Sequence, residues 1–367
     1  MVPEGGGMSR YNCHIHTFTL DAVPDRLYPL RLVALARLRL GAYLLAFLGW
    51  IPYFRRLAAL ARIGRRPHQR DILELAINSY PVDTKFCPLS MDFEHAGLGS
   101  SPQSYLEQLE ELAELTSRYP EIVRPFLAVD PRRTVFPDGI ESLAEFVEHF
   151  IGNGGFTGIK LYPALGFFPW DERLDPVWEY AESNGIPIIA HCSRGGVHAR
   201  GRVTEEMRNV GPPLNRRLGG WGMARFSDNY TDPENYEHVL ARFRSLKVCL
   251  AHYGGEEEWE KYYRRPERNA PKTWCTKVSD LMRKHENVYA DVSFTAAYRK
   301  FWPLLKVLLN SDGLEQKILF GSDFYMVSIK EAEKIFSIDL RAAVGEEEYR
   351  RMAEENPARF FEGREGT

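Results

Sequence analysis

Short apolar runs recur along the chain and alternate with longer stretches whose apolar residues return at helical spacing. The apolar runs cover residues 9–13, 82–91, 123–129, 158–162, 186–191, 247–252, 288–292 and 317–322. A short, nearly continuous apolar run is typical of a strand that is buried on both faces. These runs therefore predict eight β-strands.

Helical spacing appears between the later strands and at the end of the chain. It covers residues 140–151, 175–184, 233–244, 273–285, 298–309, 329–336 and 346–361. Buried strands that alternate with helices indicate a parallel sheet, and eight such units predict an α/β fold, a (β/α)8 TIM barrel. An open doubly wound sheet is the alternative, but no glycine-rich phosphate loop follows the first predicted strand.

Residues 21–71, here called the insertion, exceed what a minimal barrel needs between its first two strands. From Arg26 to Arg70 the insertion holds ten arginines and no lysine, aspartate or glutamate. Its stretch 40–54 is nearly all apolar, but these fifteen residues fall short of the roughly 20 that a spanning helix requires. We expect helices that pack over the barrel or against a second subunit in a homo-oligomer. Contact with a membrane surface or a polyanion is the alternative.

A second long segment, 193–232, follows the fifth predicted strand and is rich in glycine and arginine. A long loop at the carboxyl end of a barrel usually shapes access to the site. Residues 1–8 are rich in glycine and lack the apolar core of a signal peptide, so a disordered tail is expected there. The predicted barrel domain then covers 9–367.

Composition describes an ordinary globular protein of 367 residues, 44% hydrophobic and 26% charged, with net charge −3. Ten of the 47 basic residues lie between Arg26 and Arg70, which leaves 37 basic against 50 acidic residues in the rest of the chain, or −13 against +10. Nothing in this balance indicates nucleic-acid binding. The five scattered cysteines form no CxxC pair, which predicts reduced, buried thiols in a cytoplasmic protein and a metal site without thiolates.

Imidazole and carboxylate groups fall at or just past the ends of four predicted strands. They are His14, His16, His191, His252 and Asp323. Side chains two apart on a strand point to the same side, so His14 and His16 can reach one point. Imidazole nitrogens with a carboxylate oxygen are the ligands of a catalytic zinc or similar divalent ion. The pattern predicts one metal site at one end of the barrel.

With these residues in place, the chain resembles the amidohydrolase superfamily, and within it the amidohydrolase-2 group of metal-dependent hydrolases and related decarboxylases. The resemblance covers the predicted strands but not the insertion. The matching segments are NCHIHTF at 12–18, GIKLYP at 158–163, IPIIAHCS at 186–193, VCLAHYGG at 248–255, LFGSDF at 319–324 and NPARFF at 356–361.

The resemblance implies a role for each candidate residue. One divalent ion, expected to be zinc, is held by a set of four ligands, namely His14, His16, His191 and Asp323. Asp323 is also implied as the catalytic base, and His252 as a neighbour of the ligands or the group that polarises the substrate. Lys160 would bridge two metals if a second ion were bound, and is otherwise an ion-paired lysine inside the barrel. Many relatives have a histidine where this chain has Tyr162.

The implied function is hydrolysis of an amide, lactone or ester of a small molecule by an activated water. Non-oxidative decarboxylation of a carboxylated small molecule at the same site is the alternative. A metal-binding barrel without catalysis is the second alternative, and the intact ligand set argues against it. Arg194 is expected to pair with a substrate carboxylate, and Tyr162 and Tyr325 to form pocket walls. No transmembrane segment is expected.

Overall fold

The computed structural model describes residues 8–28, 32–264 and 272–362. Eight parallel strands form its centre, and a short antiparallel pair lies outside it. The central strands are β1 Arg10–Ile15, β2 Thr84–Pro88, β3 Phe126–Val129, β4 Gly158–Leu161, β5 Ile188–Ser193, β8 Val248–Gly254, β9 Val288–Asp291 and β10 Ile318–Leu319. The outer pair is β6 Asn209–Val210 and β7 Arg216–Arg217.

Backbone hydrogen bonds close these eight strands into a ring. Six run in the order β3-β4-β5-β8-β9-β10, and β1 pairs with β2. The β2–β3 seam is joined where Phe86 N donates to Ile122 O at 2.7 Å and Arg124 N donates to Phe86 O at 2.8 Å. The β1–β10 seam is joined where Cys13 N donates to Phe320 O at 2.9 Å. The predicted (β/α)8 TIM barrel is confirmed.

Helices surround the ring and bury their apolar faces against it. They are α4 Gln69–Ile77, α5 Tyr105–Arg118, α6 Leu143–Gly152, α7 Asp175–Ser183, α10 Asn235–Arg242, α11 Glu256–Arg264, α12 Trp274–Lys284, α13 Trp302–Leu308, α14 Phe324–Lys330, α15 Glu333–Val344, α16 Glu346–Arg350 and α17 Asn356–Phe361, with a π-helical turn Arg351–Glu355 before α17. Inside the barrel, the aromatic ring of Tyr11 stacks on that of Phe361, with centroids 5.1 Å apart. Helix α17 therefore closes the amino end of the barrel. All five cysteines are buried free thiols, as expected.

Several helices differ from the sequence prediction, among them α11 and the pair α14 and α15. The single helix predicted over 329–336 is wrong, because the chain is extended at Glu331, with φ −156° and ψ 171°, between α14 and α15. Apolar spacing continues across this break, so periodicity alone could not place it. Helix α11 was not predicted because few of its residues are apolar. Its first turn carries Glu256, Glu257 and Glu258, which stabilise a helix amino terminus.

The insertion consists of α1 Leu32–Arg37, α2 Arg39–Phe47 and α3 Pro52–Gly64, followed by the start of α4. The apolar stretch 40–54 is divided between two helices, because Ile51 is extended and Pro52 begins α3. The helices share a small apolar core formed by Leu20, Val23, Val33, Ala36, Leu45, Leu57 and Ala61. Over the described part of the chain, no helix combines the length and the apolar character needed to cross a bilayer.

The segment 193–232 is built from short elements. It contains α8 Glu205–Arg208, the β6–β7 hairpin and α9 Gly222–Phe226. Its apolar residues Leu218, Phe226 and Tyr230 form a cluster of their own. The tail predicted over 1–8 lies outside the described residues, apart from Met8.

Candidate metal centre

His14, on β1, and His16, directly after it, lie at the carboxyl end of the barrel. His14 Nδ1 lies 2.9 Å from Asp291 Oδ2, and His16 Nδ1 lies 2.9 Å from Leu89 O. Both oxygens only accept, so each Nδ1 carries the proton and each Nε2 keeps its lone pair. His14 Nε2 is buried and has no hydrogen-bond partner among the described residues. That atom is suited to bind a cation.

Asp323 completes a group of three ligand-type side chains. Ligand atoms of His14, His16 and Asp323 all lie within 4.8 Å of one another. Asp323 N donates to His14 O at 2.8 Å, which links the segment that follows β10 to β1. Burial, opposed by Lys160, raises the pKa of Asp323 to about 7. Burial also holds the pKa of His16 well below its ordinary value, so the ring is neutral and able to ligate at neutral pH.

His191 and His252 form a chain of hydrogen bonds beside this group. His252 Nδ1 lies 3.0 Å from Ser293 O, so it carries the proton, and His252 Nε2 accepts from His191 Nδ1 at 3.1 Å. His191 Nε2 then keeps its lone pair, which accepts from the Ser193 hydroxyl at 3.1 Å. The ring of His191 also stacks on Tyr162, with centroids 4.0 Å apart. His191 is thus oriented with an available Nε2, beside the group of three rather than inside it.

Asp291, which was not predicted from the sequence, connects the two sets of histidines. Its carboxylate binds His14 Nδ1 and accepts from His252 N at 3.0 Å and Ser293 N at 3.0 Å. Burial opposes the charged form, but His14 and these hydrogen bonds hold the pKa of Asp291 below its ordinary value. Together with His14 and His252 it forms a second group of ligand-type atoms within 4.8 Å. A carboxylate at the end of the seventh barrel strand was the available signal.

Backbone strain is concentrated at the same end of the barrel. Four non-glycine residues there have positive φ, namely His252 at 64°, Tyr253 at 50°, Phe294 at 57° and Asp323 at 55°. Each such conformation costs about 1–3 kcal/mol and persists where surrounding contacts fix it. Such strain is typical of functional sites. Here the strained residues lie at or just after the ends of β8, β9 and β10.

Lys160 lies on β4 inside the barrel, fully buried. Its Nζ has no hydrogen-bond partner among the described residues and lies 5.8 Å from the centroid of the Tyr162 ring. Burial lowers the pKa of Lys160 to about 8, although Asp291 and Asp323 oppose that shift. The bridging of two metals by Lys160 stays a prediction.

The predicted substrate-binding residues line one cavity of about 420 Å³ with His16, His191, His252 and Asp323. Tyr162, Tyr325 and Arg194 all face it. The guanidinium of Arg194 is already engaged, with Nε donating to Glu258 at 2.7 Å and Nη1 to Asp228 at 3.5 Å. Its predicted pairing with a substrate carboxylate therefore has to compete with two internal carboxylates.

Other parts of the wall were not identified from the sequence. His198, from the segment 193–232, lines the cavity, as do Glu256 and Phe294. Leu57 and Leu60, from the insertion, do so as well. Leu57 and Leu60 lie far along the chain from the strand-end motifs, and the other three residues follow predicted strands within several positions, but no local pattern marks them.

Three imidazoles with available Nε2 atoms and a carboxylate, at the carboxyl end of a TIM barrel, define the class of a metal-dependent barrel enzyme. The Amidohydrolase family model, Amidohydro_2, matches residues 13–363. The chain belongs to this family, and it is a metal-dependent hydrolase or decarboxylase. No curated protein matches the chain.

Solved structures resemble the whole chain at low identity. A 5-carboxyvanillate decarboxylase from Novosphingobium aromaticivorans, complexed with manganese and 4-hydroxy-3-methoxy-5-nitrobenzoic acid, is 15% identical with a TM-score of 0.56, over 98% of this chain and 97% of that one. The 5-carboxyvanillate decarboxylase of Sphingomonas paucimobilis is 14% identical with a TM-score of 0.53, over 97% and 99%. At such identities the likeness establishes the fold alone.

Proposed function

We propose that this protein hydrolyses an amide, lactone or ester bond of a small molecule with the help of one divalent ion. The observation that carries the proposal is the convergence of His14, His16 and Asp323 within 4.8 Å, at the edge of a cavity large enough for a small substrate. Hydrolysis needs a base beside the attacking water, and Asp323 would serve as that base because its carboxylate lies beside the two histidines.

The residues present fit a divalent ion. His14 Nε2 is a buried atom without a hydrogen-bond partner among the described residues, and His16 and Asp323 face the same point. His191 would complete the set by exchanging the Ser193 hydroxyl for the ion. When bound there, the ion lowers the pKa of water to about 7 and polarises a carbonyl oxygen. Zinc is the predicted ion, and the manganese in the Novosphingobium decarboxylase makes manganese the second candidate.

Each side chain at the site then has a separate role. Asp323 accepts the proton of the attacking water and returns it to the leaving group. Asp291 fixes the ring of His14 through Nδ1. His252 accepts from His191, so it orients that ligand, and polarisation of the substrate by His252 needs this bond to open. Tyr162 packs on the His191 ring and borders the cavity.

Decarboxylation is the second candidate because Arg194, a cation, lines the cavity close to His191. A carboxylated substrate needs such a partner. The carboxylates of Glu258 and Asp228 already neutralise Arg194, which favours hydrolysis. A homo-oligomer formed through the insertion stays a prediction.

Elemental analysis after stripping and reloading, together with a screen of lactones, amides, esters and aromatic carboxylates, tests the proposal. We expect one divalent ion per chain and turnover of an uncharged acyl substrate. A double variant, His14→Ala with His16→Ala, is expected to lose both the ion and the activity. Full metal content in that variant contradicts the site, and release of CO2 without any hydrolysis identifies a decarboxylase instead.

A further inference from the structure

The cavity at the metal centre has two chemically different ends. One end carries the polar groups of His16, His191 and Asp323. The other end is walled by aliphatic side chains of the insertion and the segment leading into it. These are Leu20, Val23, Leu27, Val33, Leu57 and Leu60.

Three backbone carbonyls of this second end are paired with arginine side chains. Arg37, on α1, donates through Nε and Nη2 to Leu20 O, both at 3.2 Å, and through Nη2 to Val23 O at 2.5 Å. An ion pair with Asp25 holds its guanidinium there. The carbonyls of Leu20 and Val23 are thereby satisfied, and Leu27 O accepts from Arg200, which also lines the cavity, at 3.1 Å. The aliphatic side chains of this end offer apolar contact.

Two stacked rings lie where the two ends meet. Phe18 and Tyr325 have centroids 5.2 Å apart and an interplanar angle of 9°, and the Tyr325 hydroxyl donates to Phe18 O. Both rings line the cavity. Since its hydroxyl is occupied, Tyr325 presents mainly its ring to a ligand.

We infer that the substrate is amphiphilic, with a polar cleavable group at the metal centre and an apolar alkyl or aryl body against the insertion. This inference rests on the proposed function and adds the class of substrate to it. An apolar wall stabilises a bound ligand in proportion to the apolar area it covers. Selectivity for the body of the substrate therefore comes from the insertion, and the chemistry comes from the barrel.

Straight-chain hydroxamates test this without requiring turnover, because the head group binds a metal and the tail probes the wall. Binding of the series from acetohydroxamate to decanohydroxamate to the metal-loaded protein is measured by calorimetry. We expect Kd to fall about fourfold for each added methylene until the cavity is full. A Leu60→Trp variant, which fills the apolar end, is expected to bind acetohydroxamate normally and to lose the gain from longer tails.

The matched control is Leu40→Trp, the same change on an exposed residue of the insertion outside the cavity, and it is expected to behave as wild type. A Kd that does not depend on tail length, or an equal gain in Leu60→Trp, overturns the inference. If binding strengthens with tail length but the protein hydrolyses none of the screened compounds, the proposed reaction is contradicted and the inferred class of substrate is retained. Failure of every hydroxamate to bind overturns both.

A separate observation concerns the outer face of α2. Its side chains at helical spacing are apolar and exposed, with Leu40 at 82%, Tyr43 at 74%, Leu44 at 50% and Phe47 at 80%, and Trp50 just after the helix is 79% exposed. The opposite face packs inward through other residues of the same helix. A contiguous apolar face of this kind marks a binding surface.

The charge around this face favours an anionic lipid surface. Residues 26–70 hold ten arginines and no acidic residue. Arg37 is ion-paired with Asp25 within this region, whereas Arg39, on α2 itself, is exposed. Arginine beside exposed leucine, tyrosine and tryptophan is the composition of a helix that lies in a bilayer interface. A two-fold contact with a second copy would instead place two arginine-rich segments against each other. We propose that α2 docks this protein on anionic lipid.

Sedimentation with vesicles tests the docking surface. The full-length protein is expected to pellet with phosphatidylcholine vesicles that contain phosphatidylglycerol, less so with phosphatidylcholine alone, and less as salt is raised. A triple variant, Leu40→Ser, Tyr43→Ser and Phe47→Ser, is expected to lose at least about tenfold in partitioning.

The control replaces three exposed valines elsewhere on the surface, Val82→Ser, Val135→Ser and Val307→Ser, and should pellet like wild type. Equal pelleting of both triple variants, or no pelleting of wild type, overturns the proposal. If the wild type binds no vesicles but self-associates in ultracentrifugation, and the α2 variant does not, the lipid proposal is overturned. The α2 face would then bind a second copy of the chain.

Discussion

At the scale of single residues, Asp323 is predicted to serve as both ligand and base. In Asp323→Asn the amide still offers an oxygen but cannot accept a proton from water at neutral pH. We expect kcat to fall by about 10²–10⁴-fold, while the fold and much of the metal content are retained. Steady-state kinetics and elemental analysis of the same preparation measure the two effects.

Asp312→Asn changes an exposed aspartate and serves as the control for lost charge. It should leave kcat unchanged. Near-normal turnover in Asp323→Asn would mean that Asp323 is structural, and His252 would become the next candidate for the base.

Glu333 offers a test of pH dependence outside the metal centre. Burial, opposed by hydrogen bonds from Ser322 and Tyr80, raises the pKa of Glu333 from 4.5 to about 7. The folded state therefore favours the protonated form, so its stabilising effect is complete below pH 4.5 and is lost as pH rises through 7. The loss is about 3 kcal/mol.

Glu333→Gln removes this titration while keeping an acceptor for the Tyr80 hydroxyl, which lies 2.6 Å from Glu333 Oε1. We expect the Tm of the variant, relative to wild type, to rise between about pH 5 and about pH 8. Thermal unfolding followed by circular dichroism measures it. A difference in Tm that stays constant over this range contradicts the ionisation of Glu333.

At the scale of elements, the packing of α2 depends on Gly41. A Cβ added there would lie 2.0 Å from Leu35 O, so α1 and α2 approach too closely for any side chain. Gly41→Leu is expected to separate these helices and destabilise the insertion by about 1–3 kcal/mol, with the barrel and its metal content intact. Limited proteolysis should then cut within 32–64 much faster than in wild type.

Gly152→Leu is the control, because Gly152 ends α6 and has nothing within 4 Å of an added Cβ. It should resist proteolysis like wild type. Loss of metal together with the accelerated cleavage in Gly41→Leu would show that insertion and barrel do not unfold separately.

At the scale of the whole molecule, the predicted ligands come from both ends of the chain. His14 and His16 lie at the end of β1, His191 on β5 and Asp323 after β10. A bound ion would therefore tie the first strand to the last. Stripping the metal is expected to lower Tm by several degrees, since a ligand at 100 times its Kd stabilises the folded state by about 2.7 kcal/mol.

Adding zinc or manganese back should restore Tm in wild type and leave the double variant His14→Ala with His16→Ala unchanged. Scanning calorimetry at a fixed protein concentration measures this. An equal shift in the double variant would place the stabilising ion elsewhere.

The predicted ligands could be found from the sequence because each depends on a local pattern. His14 and His16 are two apart on one strand, and Asp323 follows an apolar run. Strand direction and the period of two then determine which end of the barrel receives them. Asp291 was missed because it lies inside the run predicted as 288–292, whereas the structure ends this strand at Asp291.

The sequence by itself determined the eight strands, the class of fold and the identity of the ligand-type residues, because periodicity and residue chemistry are local properties. Only the tertiary structure decided that Asp291 holds His14, that Glu258 and Asp228 occupy Arg194, and that the insertion walls the cavity. Each of these contacts joins residues far apart in the chain. Such contacts are set by how helices and loops pack on the barrel, and hydrophobic spacing along the chain does not record that packing.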